Sequence, residues 1–470
     1  MLFSSALDLI NFDTSKTLHM NYMFAYCYKL KFIDLSHFET LNVVNMQGMF
    51  IGCSSLTSLD LSSFNTKNTI NMNSMFSECA FLKSINMDNF NTKKVQNMEN
   101  MFSHCTSLIS MDLSHFNTQS VTTMNRMFYN CMKLISIDIS NFSNQKLENV
   151  DNMLFNCRSL KKINLTNFYT DNVISMENMF LECLSLTSLN LSSFNTNKVT
   201  NMNKLFSGCL SLISINLSNL NTQKVTKMGH MFDNCPLKAL NLSNFQTKNV
   251  VNMERMFFYC KNLTSIDISS FNTENVIDMS EMFNGCYSLT SIEFPLFNTT
   301  KVKYMDKMFA DCHSLTSLNV SNFDTPNLLS MNMMFLFCYS LTSINIANFN
   351  LSLVYELNSV FQSCKSLKYV ELPKLGLNNI KNIEYMFSSC DSMTSINLGK
   401  YNLQSVKSIK YLFTFCFNLE YIDISSFRNV NECYNFLVGL PQTGTIVINS
   451  NIIHVIKSQL SSDWNIIIND

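Results

Sequence analysis

The sequence predicts an α/β solenoid, and three observations carry that prediction. Cysteine returns on a 26-residue beat from Cys27 to Cys235, Cys260 follows after 25, and the beat resumes to Cys416. Each beat carries one apolar pattern, clearest in Val95, Met98, Met101, Phe102, Cys105, Leu108, Met111, Leu113 and Phe116. No insertion interrupts it. Self-similarity at this period identifies units that bury their apolar faces against one another, since none can do so alone.

Within one unit the elements follow in order. In Leu56-Thr57-Ser58-Leu59-Asp60-Leu61-Ser62, Leu59 and Leu61 point inward and Asp60 outward, the period of a short strand. Phe64-Asn65-Thr66 then turns the chain. Met72, Met75, Phe76 and Cys79 fall at i, i+3, i+4 and i+7, which predicts about two turns of helix with one apolar stripe. A helix so short is unstable in water, so packing on neighbouring units has to hold it. One cysteine per unit in one slot predicts a file of reduced, buried side chains, for which a small apolar thiol is well suited. No CxxC pair or convergent histidine suggests a metal site. The Met-Phe stripe is core, with methionine filling irregular gaps.

The strand follows the general leucine-rich pattern L-x-x-L-x-L and then departs from it, because Phe64, Phe90, Phe116, Phe194 and Phe271 take the slot usually given to Asn or Cys. In this the chain resembles the BspA-like surface leucine-rich repeats, whose unit reads MFxxCxSLxSLxLSxFNTxxV. Met49-Phe50-Ile51-Gly52-Cys53-Ser54-Ser55-Leu56, running on to Phe64-Asn65-Thr66, reproduces that unit. The resemblance covers roughly residues 7 to 427. It implies a right-handed leucine-rich-repeat coil with a parallel β-sheet on the concave face and short helices on the convex face. It also implies an adhesin-like role at a cell surface, although folds do not dictate activities.

At 470 residues the chain predicts one elongated domain, a solenoid over 1–427 and a closing segment over 428–470. Charged residues are 14% and the net charge is −1, which argues against nucleic acid or an anionic membrane as partner. No apolar run reaches the roughly 20 residues of a membrane span. Met1 to Asp8 carries no basic segment of an export signal. The first strand, Leu7-Asp8-Leu9, opens in mid-repeat without a polar cap, which predicts self-association through that coil as one alternative. Val430, Cys433, Phe436, Leu437 and Leu440 repeat the helical stripe. Ile446-Val447-Ile448 predicts an eighteenth strand, and a helical stretch near Ile452–Leu460 with Trp464 would cover it. Leu440-Pro441-Gln442-Thr443-Gly444 matches a cell-wall sorting motif, yet its position predicts a turn between coils.

The most regular polar feature is the centre of each strand, occupied by Asp, Asn or Glu from Asp8 to Asp423. Asp34, Asp60, Asn86, Asp112, Asp138, Asn164, Asn190 and Asn216 form the candidate ligand ladder, flanked by serines such as Ser58, Ser62, Ser188 and Ser192. Neighbouring strands lie about 4.8 Å apart, so asparagines can hydrogen-bond along the ladder while adjacent aspartates repel. A calcium site gathers six or more oxygens, and strand carboxylates alone supply few. Lys67, Lys93, Lys94, Lys198, Lys224 and Lys248 predict a basic edge on the loop leaving each strand. Few aromatics interleave with them, which speaks against nucleic acid. Pro295 and Pro373 replace the serine after two strands and would reshape the face locally. No catalytic set, phosphate loop or cofactor motif is present. The expectation is a non-enzymatic solenoid that binds a protein or glycan, with a structural or self-assembling spacer as the alternative.

Overall fold

Backbone donors that leave their own coil organise this chain. The structure, a computed structural model, describes residues 7–470. It comprises two compact units. One holds the described residues through Lys227 with Met231–Pro236, the other Met228–His230 with Leu237–Asp470.

In the first unit the strands are β1 (Ser58–Asp60), β2 (Ser84–Asn86), β3 (Ser136–Asp138), β4 (Lys162–Asn164), β5 (Ser188–Asn190) and β6 (Ser214–Asn216). They join in parallel as β1–β2, β3–β4 and β5–β6, each one repeat out of step, as in Ser58 opposite Ser84. The second unit holds β7 (Ala239–Asn241), β8 (Ser265–Asp267), β9 (Ser343–Asn345), β10 (Tyr369–Glu371), β11 (Ser395–Asn397), β12 (Tyr421–Asp423), β13 (Gly444–Ile448) and β14 (Trp464–Ile468). Here β7–β8 and β9–β10 are parallel pairs, and β11–β12–β13–β14 is a four-stranded parallel sheet. Burial alternates exposed, buried, exposed in β1, β3 and β5, as the sequence period predicts. Five of the strand centres read from sequence (Asp8, Asp34, Asp112, Glu293 and Asn319) lie in extended segments outside the paired strands. Single inter-coil bonds serve there instead, such as Ile135 N–H to the Ile109 carbonyl at 2.9 Å.

The predicted short helices are not formed. Met72, Met75, Phe76 and Cys79 are fully buried, so the inward face is as read, but the backbone is a run of tight turns. The N–H groups of Met75, Ser77 and Cys79 bond the carbonyls of Met72, Ser74 and Phe76, three residues back. Those of Met72, Ser74, Phe76 and Glu78 instead reach Asn97, Glu99, Met101 and Ser103 in the next coil at 2.8 to 3.0 Å. An α-helix would need all of them inside the coil. Tandem turns bring residues one, four, five and eight to one side, which is the spacing of a helical stripe. The turns that begin at Met72 and at Phe76 need a positive φ at their third residue, seen as 56° at Ser74 and 62° at Glu78. That conformation costs a non-glycine residue roughly 1–2 kcal/mol, and the bonds to the next coil offset it. Gly285 sits at such a position with φ 77°, and a Cβ there would lie 2.7 Å from the Tyr259 ring.

Like residues stack because the register equals one repeat. Phe24, Phe50, Phe76, Phe102 and Phe128 form a file with ring centroids 5.4 to 5.9 Å apart, offset-stacked in the favourable range. The sixteen cysteines of the beat are buried free thiols, and Cys433 is half-buried. They do more than fill space. Cys79 Sγ donates to the Phe50 carbonyl at 3.2 Å and Cys105 Sγ to that of Phe76 at 3.2 Å, one coil back. Phe76 thus accepts twice, from Cys79 N–H in its own coil and from Cys105 in the next. Burial pushes the thiols of Cys105, Cys157 and Cys209 up to about 12, so they stay neutral donors. Threonine closes the opposite corner. Thr66 Oγ1 donates to the Asn91 carbonyl at 3.1 Å and accepts Asn91 N–H at 2.7 Å, itself fully buried.

At the C-terminal side, β13 contains the expected eighteenth strand and pairs with β12. The helical stretch is shorter than predicted, α1 (Ile453–Ile456). Trp464 opens a further strand, β14, against β13. The sorting-like motif is folded into this junction: Trp464 Nε1 donates to the Pro441 carbonyl at 3.0 Å and Gly444 starts β13.

Three outcomes follow from these contacts. Thr66→Val, isosteric but without the hydroxyl, leaves the Asn91 N–H and carbonyl without their partner and should cost about 0.5–1.5 kcal/mol in urea unfolding, whereas Thr66→Ser costs less. Gly285→Ala should lower the thermal midpoint, the strained φ alone costing about 1–2 kcal/mol. The neutral-thiol contribution is full below the ordinary value of 9.0 and is lost as pH rises through about 12, because unfolded thiols ionise first. Each such thiol destabilises the fold as pH climbs through that window, so urea midpoints should fall from about pH 9 upward.

Candidate functional site

The strand-centre ladder is first of all a set of local turns. Asp34, Asp60, Asp112 and Asp138 each accept, through Oδ1, the N–H of the serine two residues on, at 2.8 to 3.0 Å. Asn86, Asn164, Asn190 and Asn216 do the same to Asp88, Thr166, Ser192 and Ser218 at 3.1 to 3.2 Å. Such turns explain why short carbonyl-bearing side chains fill this slot: they end the strand by capturing a backbone donor. Most of the eight are exposed, and Asn86 is half-buried.

The serines also set the charge. Their hydrogen bonds hold Asp34 and Asp60 (backbone N–H first) and Asp112 and Asp138 (hydroxyl first) below the usual carboxylate range. The ladder therefore keeps its negative charge at neutral pH despite the repulsion between neighbours. Amide links run along it in two places: Asn164 Nδ2 to Asp138 Oδ2 at 3.1 Å, and Asn216 Nδ2 to Asn190 Oδ1 at 3.2 Å.

Two adjoining grooves, each about 480 Å³, open on this face around β3, β4 and β5, and they share Ile163 and Asn164. Asp138, Lys162, Asn164, Asn167, Tyr169 and Asn190 line them, together with serine and threonine hydroxyls such as those of Ser188 and Ser192. Sequence reasoning named Asp138, Asn164 and Asn190 but missed Lys162, Asn167 and Tyr169. The signal was departure from the repeat: Lys162 takes a serine slot and Tyr169 takes the asparagine slot after Phe168. Asn167 adopts φ 65°, and its Oδ1 accepts from Tyr169 Oη at 3.3 Å.

The lysines lie on the turn after the threonine corner, as expected, but many of their charges are tied. Lys94 Nζ donates to Asn68 Oδ1 at 2.8 Å and Lys198 Nζ to Asn172 Oδ1 at 2.6 Å. Lys248 faces Glu274 at 3.5 Å. Lys67 and Lys93 bond through their backbone N–H to Asn65 and Asn91, with exposed side chains, and Lys224 is exposed. Lys67, Lys93, Lys94, Lys198 and Lys224 belong to the first unit and Lys248 to the second. Asparagine and glutamate interleave with these cations, which dilutes the basic edge.

Among the described residues no group of three His, Cys, Asp or Glu is placed to hold a metal, and no helix is long and apolar enough to cross a membrane. The coils define a parallel β-solenoid of the leucine-rich-repeat type with a polar sheet face. The chain belongs to the family described as Mycoplasma protein of unknown function, DUF285, which matches residues 2–87, 60–166, 155–257, 234–344 and 330–437. It is similar to a solved leucine-rich repeat protein from Bacteroides ovatus, at 19% identity and TM-score 0.36, covering 77% of this chain and 88% of that one. It is also similar to a leucine rich cell surface protein from Faecalibacterium prausnitzii, at 17% identity and TM-score 0.32, covering 70% and 79%. A third is the functional domain of InlJ from Listeria monocytogenes, which includes a cysteine ladder, at 13% identity and TM-score 0.21, covering 76% and 67%. No curated protein matches the chain.

The ladder's dual nature is separable by substitution. Asn190→Ala removes the turn acceptor and should cost about 0.5–1.5 kcal/mol in thermal unfolding, while Asn190→Asp keeps it and costs less. The lowered carboxyls of Asp112 and Asp138 stabilise above the ordinary 3.8 and lose that effect as pH falls through their native values, so NMR titration should find both midpoints below 3.8.

Proposed function

We propose that this chain is a non-enzymatic binding solenoid whose polar sheet face takes an extended protein segment or glycan strand. The observation that carries the reading is the pair of grooves around β3, β4 and β5. Backbone turns claim the Oδ1 of each ladder residue, so recognition falls to the Nδ2 and Oδ2 atoms, the Lys162 ammonium and the Tyr169 ring and hydroxyl. Side-chain amides, hydroxyls and an aromatic along an open trough suit a hydroxyl-rich or peptide ligand, which presents donors and acceptors at regular intervals. The grooves are open and repetitive, which favours holding a chain over enclosing a reacting atom. The resemblance to BspA-like repeats, with members that act as adhesins, points the same way and carries the implied surface location with it.

A structural spacer is the second reading. It is favoured by the internal turn role that every named ladder residue already fills.

Screening the protein against immobilised glycans and matrix proteins, beside size-exclusion light scattering, separates the two. Saturable binding that weakens about tenfold, or 1.4 kcal/mol, in Lys162→Glu or Tyr169→Ala supports recognition. The Asp34→Asn, Asp60→Asn, Asp112→Asn and Asp138→Asn quadruple variant keeps the turns and should weaken a basic ligand alone. Concentration-dependent polymers without any saturable ligand would establish the spacer.

A further inference from the structure

One coil of the second unit breaks the rule that its neighbours keep. After β9 and β11, the N–H of the next residue donates to the strand-centre carbonyl one coil on: Ile346 to Glu371 at 3.0 Å, and Leu398 to Asp423 at 2.7 Å. After β10 the equivalent donor, Leu372 N–H, goes to Tyr401 Oη at 3.1 Å. Tyr401 stands in the phenylalanine file, where Phe349 and Phe427 occupy the slot in other coils, and its hydroxyl brings an acceptor into that file. It is buried, and Oη donates in turn to Glu371 Oε1 at 3.2 Å. Tyr369 Oη donates to the same carboxylate, and Lys400 Nζ lies 3.3 Å from it and 5.0 Å from the Tyr401 ring centre. Pro373 follows directly, where it offers no backbone donor.

β10 and β11 are not paired with each other, and a pocket of about 160 Å³ lies between them. Val370, Leu372, Met393, Ile396 and Leu398 give it apolar walls, and the exposed Lys368 and Lys400 border it. An apolar cavity of about 150 Å³ admits a benzene-sized group. Two ammonium groups against the single carboxylate of Glu371 leave an excess of positive charge at the opening.

We propose that this pocket docks an acidic protein segment, which inserts one aliphatic or aromatic side chain between β10 and β11 while its carboxylate pairs with Lys368 and Lys400. Volume selects the anchor and the lysines select the flanking charge. The site is independent of the ladder in the first unit, and neither reading needs the other.

The test is fluorescence anisotropy of the whole chain with three dye-labelled probes: the pentapeptide Glu-Asp-Leu-Asp-Glu, its Leu→Ser counterpart, and Lys-Lys-Leu-Lys-Lys. The acidic leucine peptide should bind at least about tenfold more tightly than either other probe and weaken with added salt. Tyr401→Phe removes the acceptor, returns Leu372 N–H to the strand and should abolish the preference for leucine over serine. Ser395→Phe, at an exposed lining position, should block the opening if Tyr401→Phe unfolds. Lys368→Glu should lower affinity for the acidic peptide by about tenfold, with unchanged circular dichroism. Equal binding of the leucine and serine peptides, no binding of any probe, or undiminished binding by a folded Tyr401→Phe and Ser395→Phe would each overturn the proposal.

Discussion

The structure rests on backbone hydrogen bonds that pass from one coil to the next in a register of one repeat. Because Met72, Ser74, Phe76 and Glu78 donate forward to Asn97, Glu99, Met101 and Ser103, every residue lies beside its own counterpart. Columns of identical chemistry follow of necessity. Phenylalanine stacks on phenylalanine, and threonine hydroxyls such as those of Thr66, Thr92 and Thr170 meet the asparagine that follows the next phenylalanine. A residue fit for one coil is thereby fit for its neighbours, which is why one short pattern can be written so many times. The same constraint makes the turn wall tolerate left-handed backbone at two positions per coil, since the bonds gained outward exceed the local strain.

Cysteine suits its column for a reason beyond size. Alanine would leave a void and lose a donor, while serine would bring a more strongly hydrated hydroxyl into an apolar file. The thiol fills the volume and bonds weakly to a carbonyl that already accepts once. Burial of the whole file keeps the thiols protonated, so the column is inert while folded and vulnerable where base ionises the unfolded chain.

The two proposed binding sites, in contrast, lie where the pattern fails. The ladder residues obey the pattern and spend their acceptors on closing strands. Lys162 and Tyr169 break it beside the grooves of the first unit, and Tyr369, Pro373 and Tyr401 break it beside the pocket of the second. In a uniform repeat a departure is a local change of shape and charge that no neighbour reproduces. Such a change gives a ligand one place to prefer among many similar ones.

The sequence by itself determined the inward faces, the one-repeat register, twelve of the seventeen strand centres and the strand at Ile446-Val447-Ile448, since these depend on apolar period and spacing alone. It could not determine that the Met-Phe stripe is turns. Residues at i, i+3, i+4 and i+7 reach one side in a helix and in tandem turns alike, and what separates the two is whether Ser74 N–H bonds within its coil or to Glu99. Nor could it show that Asp34 and its counterparts cap their own strands, or that one hydroxyl on Tyr401 would draw Leu372 N–H away from the strand. Those outcomes turn on which of two nearby acceptors a donor meets in space, and only the assembled coils bring the competing acceptors into reach.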